Sequence, residues 1–338
     1  MTDQAWLDEV PSRLLLERGL EARFALPPGD RSLVSRGERI VPGEALLEHL
    51  RDRRIEELDL PAASDGERPA AGSRWAPAPG RQRRDSDREG ELLAPLPGRR
   101  ERWRLVTGEH RVRLEAPLGG DVTEVRPGAE IRIRAAGPAI RGAFAAGSAA
   151  RGRLELATDP FGELRPGGID VGRAGSILVV GSRIDAEALT RARAMNVRGI
   201  VVATLPGKEL RDFQGSERRQ RASLHPSAPF GVLVLDGTVR RPIASPIAAV
   251  LERMAGTEVA LLVDPPALVF DADPGDLPVP DADWVRVRSG IHAGLEGRVV
   301  LPLGPRRFAA NVLLEAARVA IDGAPSLDVP LGDLERLV

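Results

Sequence analysis

The residues of this chain best placed by type and spacing to do chemistry are Ser182, Asp185 and Lys208. Ser182 and Asp185 follow the aliphatic run Ile177, Leu178, Val179, Val180, and Lys208 follows a second run that ends at Ala203. A serine beside a carboxylate could pair a nucleophile with an orienting acid, but that chemistry needs a histidine base. None is near in sequence, so only folding could bring in His225. A lysine after Gly207 could meet a phosphate, yet neither GxGxxG nor GxxxxGK[ST] spacing surrounds it. With Gly181, Thr204, Gly207 and Asp236, these residues mark where a ligand site would lie, at the carboxyl ends of parallel strands. Turns and helix caps explain them more simply.

Composition narrows the chemistry further. Cysteine is absent, which excludes disulfides, thiolate nucleophiles and cysteine-held metals. The four histidines, His49, His110, His225 and His292, show no HExxH spacing, so neither a metal nor another cofactor is expected. Tyrosine is also absent and aromatic residues make up 3% of the chain, which removes the stacking platforms of sequence-reading RNA modules. Lysine occurs once among 48 basic residues and the formal net charge is -1. Arginine abundance alongside Ala, Gly and Pro therefore reads as coding bias rather than as a polyanion-binding surface. No apolar run is long enough to span a bilayer, and the acidic, polar start is unlike a signal peptide, so a cytoplasmic protein is expected.

The elements that position the first set of residues form a β/α alternation. Continuous apolar runs at 177–180 and 199–203 predict strands buried on both faces, joined by a helix from Asp185 to Met195 with Asp185 as its N-cap. Such a unit implies parallel strands with a right-handed crossover. A helix from about 208 to 224, a strand at 231–235, a helix at 246–254 and a strand at 258–263 continue it.

A second constellation is basic. Between Trp284 and Arg307, the arginines at 286, 288, 298, 306 and 307 face the single acid Glu296, a balance suited to phosphate contacts. Apolar and charged residues alternate from Trp284 to Arg288, glycines follow at 290, 294 and 297, and Val299 and Val300 resume a strand. This strand, glycine-rich turn and strand resembles a KOW motif, the core of small SH3-like barrels in NusG-type transcription factors and several ribosomal proteins. The resemblance implies a binding role for Trp284, Arg286, Arg288, His292, Arg298, Arg306 and Arg307. It implies RNA, RNA polymerase or a ribosomal protein as partner, with Trp284, Ile291 and Leu295 as the contacts if the partner is a protein.

Two further segments, 35–50 and 111–135, carry Gly-acid, apolar, Gly-acid and Ala-Pro, Gly-x-Val, Pro-Gly patterns. They resemble the two halves of a biotinyl or lipoyl-type barrel-sandwich domain. Carriers of that type place a lysine on a hairpin tip, whereas Lys208 lies far outside both segments, so only the fold is implied. Residues 61–104, rich in Pro, Ala, Gly, Ser and Arg, are expected to form a disordered insertion between the halves. The N-terminal leucines, from Leu7 to Leu20, fall near a helical stripe.

The expected architecture is multidomain α+β. It comprises an N-terminal helix and first half-barrel (1–60), the insertion (61–104), the second half of a split β barrel-sandwich (105–168), a central α/β domain with parallel strands (169–270), a linker (271–283) and a C-terminal SH3-like β-barrel (284–338). The functional expectation is a non-enzymatic adaptor on transcription or translation machinery. An enzyme or small-ligand sensor built on the α/β domain, and a structural subunit of a larger assembly, are the alternatives.

Overall fold

A computed structural model describes residues 5–51, 54–59, 74–75, 90–95, 102–107, 110–221, 228–275, 280–321 and 323–338. The described chain is mostly β, with several sheets and three α-helices. At its centre is a mixed sheet of eight strands. Strands Ala150–Leu156, Ser176–Val180, Gly199–Thr204 and Gly231–Gly237 run parallel side by side. Antiparallel strands flank them, Glu258–Leu262, Ala267–Phe270 and Ala139–Arg141 on one side and Phe144–Gly147 on the other. The sheet thus takes up strands from Ala139 onward, upstream of the boundary at 169 that composition suggests.

Strands 176–180 and 199–204 are buried along their whole length, which is why they read as unbroken apolar runs. Alternate side chains serve opposite faces. Ile177 and Val179 pack with Ile247, Val250 and Leu251 of helix α3 (Ser245–Arg253). Leu178 and Val180 pack with Leu189 of helix α1 (Ala186–Ala194) and Phe213 of helix α2 (Gly207–Arg221). Along the antiparallel edge, Ala260, Leu262 and Val269 instead meet a β unit built from residues 20–51 and 110–135.

That unit joins the two segments that the sequence separates. Strand Ala45–Arg51 pairs with His110–Glu115, and Arg39–Ile40 pairs with Gly120–Arg126. Part of the expected disordered insertion is strand. Arg54–Asp59 pairs with Arg102–Thr107, and the pairs Arg51↔His110 and Arg54↔Thr107 keep one register. Leu58, Leu92, Trp103 and Leu105 are buried together there, apolar burial that offsets the entropy of ordering these strands. Gly90–Pro95 pairs with Arg102–Thr107 and Arg74–Trp75 pairs with Gly90–Pro95, and the remainder of 61–104 lies outside the described residues.

The N-terminal leucines do not form the expected helix. A 3-10 turn spans Ala5–Glu9, and after Pro11 the chain is extended, with Ser12–Arg13 parallel to the last strand, Leu334–Leu337. Pro11 has no N–H to donate and its ring blocks a preceding helical turn. The apolar side chains are divided among three cores. Leu7 and Val10 enter the C-terminal core, Leu15 the α3 face of the central sheet, and Leu20 the β unit.

The C-terminal sheet has the order Ser12–Arg13, Leu334–Leu337, Trp284–Val287, Glu296–Arg307, Leu313–Ile321, Leu327–Pro330. A 3-10 turn, Leu331–Asp333, joins strand Leu327–Pro330 to the final strand Leu334–Leu337. No helix among the described residues is long and apolar enough to cross a membrane.

Candidate functional site

At the carboxyl ends of the parallel strands, each residue singled out for chemistry has a local partner or is exposed. Ser182 is buried and its Oγ donates to Phe161 O at 2.8 Å, while its own carbonyl accepts from Thr204 Oγ1 at 2.6 Å. Asp185 caps α1, its Oδ1 accepting from Ala188 N at 2.7 Å. Lys208 is exposed in the first turn of α2. His225, the base such a serine would need, lies outside the described residues.

Asp236, on the last turn of strand 231–237, faces the C-terminal unit. Its carboxylate accepts from Arg286 Nη1 at 2.8 Å and from Arg13 Nη2 at 2.8 Å. Glu335 lies 2.8 Å from Arg13 Nε, and Arg286 also donates to Pro242 O. Arg241 completes the cluster by donating to Asp236 O and, at 2.6 Å, to Arg288 O. Burial holds the Arg241 guanidinium below its ordinary range, and the neighbouring Arg286 and Arg13 act in the same direction against the pull of Asp236 and Glu335. This is a junction of four chain segments rather than a solvent-facing site.

That geometry corrects the reading of the arginines. Arg286 is fully buried, so it cannot reach a phosphate. Trp284 packs against the α3 side of the central core instead of standing free. Arg298 pairs with Asp281 at 2.5 Å. His292 is half-buried in the turn, Arg288 is exposed beside it, and Arg306 and Arg307 stand exposed far along strand 296–307. The structure therefore does not gather the predicted arginines on one surface. The alternation of residues 284–288 placed Arg286 and Arg288 on one strand face, but a partner such as Asp236 leaves no trace in local pattern.

Strands 296–307 and 313–321 form a hairpin that runs beyond the rest of the sheet. Leu301, Leu313 and Leu314 are exposed on it, Leu313 by 60%, together with Val312 near its tip. Pro302 and Pro305 interrupt the outer edge of one strand and register shifts bend it, features that blunt an edge against indiscriminate pairing.

Among the described residues no three His, Asp or Glu side chains converge to hold a metal. A cleft of about 260 Å³ lies between residues 40–42, 119–120 and 269–271. It is lined mostly by backbone and apolar groups, and Asp271 beside it is already paired with Arg151. No family model and no curated protein matches this chain.

Proposed function

We propose that the chain is a non-enzymatic adaptor that binds a protein of the transcription or translation machinery through its C-terminal unit, an SH3-like barrel of the KOW type. The strand order and the 3-10 turn before the last strand support the barrel. On this reading, residues 20–51 and 110–135 form a split barrel-sandwich and the central sheet forms an α/β domain.

The observation that carries the proposal is the hairpin of 296–307 and 313–321, along which Leu301, Val312, Leu313 and Leu314 are exposed. Aliphatic side chains exposed on both faces of one projecting element suit a protein partner that grips it. RNA is disfavoured because base recognition uses exposed aromatic rings, and the hairpin carries only the half-buried Phe308. The buried junction at Asp236 supports an adaptor role by fixing the direction in which the hairpin projects.

The test is affinity purification of the tagged full chain and of a Leu313→Ser/Leu314→Ser variant after nuclease treatment. RNA polymerase subunits or ribosomal proteins are expected with the parent chain and depleted with the variant. Recovery of neither, or equal recovery by both chains, would refute the reading.

A further inference from the structure

Helix α3 begins without a cap of its own. Its N-cap residue is Ala244, which has no side-chain acceptor, and Pro246 in the first turn has no N–H. Ser245 N still needs an acceptor, and the C-terminal unit supplies one. Glu296 Oε1 takes that bond at 2.9 Å. The positive end of the helix dipole thus meets a carboxylate from another sheet.

A second group converges on the same oxygen. Arg286 lies opposite Glu296 in the strand ladder, and its Nε stands 3.9 Å from Glu296 Oε1. Arg286 is fully buried, its Nη1 and Nη2 donate to Asp236 and to Pro242 O, and its Nε has no hydrogen-bond partner. A buried cationic donor left open is destabilising unless an anion stands near it. Glu296 is that anion. The junction holds the guanidiniums of Arg13, Arg241 and Arg286 with the carboxylates of Asp236 and Glu335, and Glu296 adds the third carboxylate that makes the cluster neutral.

This end of α3 follows strand 231–237 at the carboxyl ends of the parallel strands, where α/β sheets take up anionic ligands. In this chain a side chain stands there instead. We propose that Ser245 N and Arg286 Nε form a carboxylate seat, that Glu296 fills it as a tethered ligand, and that a free carboxylate takes the seat when Glu296 leaves. Glu296 thereby latches the C-terminal unit to α3. Solvent reaches the seat, since Ser245 is exposed and the Glu296 side chain is 19% exposed. Tethering gives Glu296 a high effective concentration, so in the parent chain it outcompetes a free carboxylate. One backbone N–H and one guanidinium N–H match a carboxylate and are too few for a phosphate. The seat does not depend on what the hairpin binds.

The test is chemical rescue of the full-length Glu296→Ala variant with sodium acetate, read by amide hydrogen exchange of Ser245 and by melting temperature. In Glu296→Ala the Ser245 N–H should exchange at least about fivefold faster than in the parent, and the melting temperature should fall. Acetate should reverse both changes and saturate, whereas sodium chloride at the same ionic strength should not. A Glu296→Ala chain that unfolds should regain its fold in acetate. Glu296→Gln fills the seat with an uncharged group of the same shape. It should keep the fold, exchange Ser245 at a rate between those of the parent and Glu296→Ala, and show no response to acetate. Parent-like exchange in Glu296→Ala would overturn the latch. Failure of acetate to rescue, equal rescue by chloride, or an equal response of Glu296→Gln to acetate would overturn the seat.

Discussion

Arg286 donates to Asp236 at 2.8 Å across the junction of the C-terminal and central sheets, with side-chain exposures of 0% and 2%. A charge pair taken this far from water is costly to assemble and costlier to break, because the survivor keeps its desolvation penalty and loses its compensation. Asp236→Ala should therefore destabilise the chain by about 3–5 kcal/mol. Replacing both partners, Asp236→Leu with Arg286→Met, should recover much of that loss. Urea denaturation of the parent and the variants measures both values, and a single-variant loss below about 1 kcal/mol would show that the pair is solvated.

The N-terminal segment should behave as part of the C-terminal core. Leu7 is 3% exposed there, and Arg336 N donates to Pro11 O at 2.9 Å. Leu7→Ala should cost about 2–5 kcal/mol, the range for a buried leucine that leaves a cavity. Hydrogen exchange should report the loss in strands 284–287 and 334–337 rather than in the parallel strands. Equal loss of protection across the central sheet would contradict this assignment.

What could be read from the sequence follows the range of the interactions involved. The strands at 177–180 and 199–203 were legible because burial on both faces leaves an unbroken apolar run, and Asp185 was legible because its capping bond spans only three residues. Arg286 was not, since its partner is 50 residues upstream in another sheet. The stripe from Leu7 to Leu20 misled for a related reason. Its side chains share a helical period by number but are divided among three cores, a division set by tertiary contacts alone. In the insertion, Leu92 and Trp103 are too sparse to outweigh the surrounding Pro, Gly and Arg until strand pairing buries them with Leu58 and Leu105, which lie outside it.

Acid titration should single out Asp328. The hydrogen bond from Arg318, with Nε at 2.8 Å, and the charges of Arg318 and Arg306 hold its carboxyl below the usual aspartate range. A depressed folded-state pKa contributes stability above the unfolded value, and that contribution is lost as pH falls through the folded one. Carboxyl-carbon NMR should therefore give a midpoint lower than that of an aspartate in a short peptide. Arg318→Gln should move it back toward the peptide value, and an unchanged midpoint would remove Arg318 as the cause.

Gly137 sits where the β unit passes into the central sheet, and Phe270 O occupies the position that a Cβ would take. The obstacle is backbone within a paired strand, so it cannot swing aside as a side chain could. Gly137→Ala should destabilise by about 1–3 kcal/mol through overpacking, despite the smaller unfolded-state entropy of alanine. Gly167 is the control, since a Cβ there meets nothing within 4 Å and no positive φ constrains it. Gly167→Ala should be neutral or stabilise by up to about 1 kcal/mol. Thermal and urea unfolding of the two variants side by side separates close approach from general intolerance of alanine. Equal effects at the two positions would mean that Phe270 O gives way, and that the passage between the units is looser than its geometry implies.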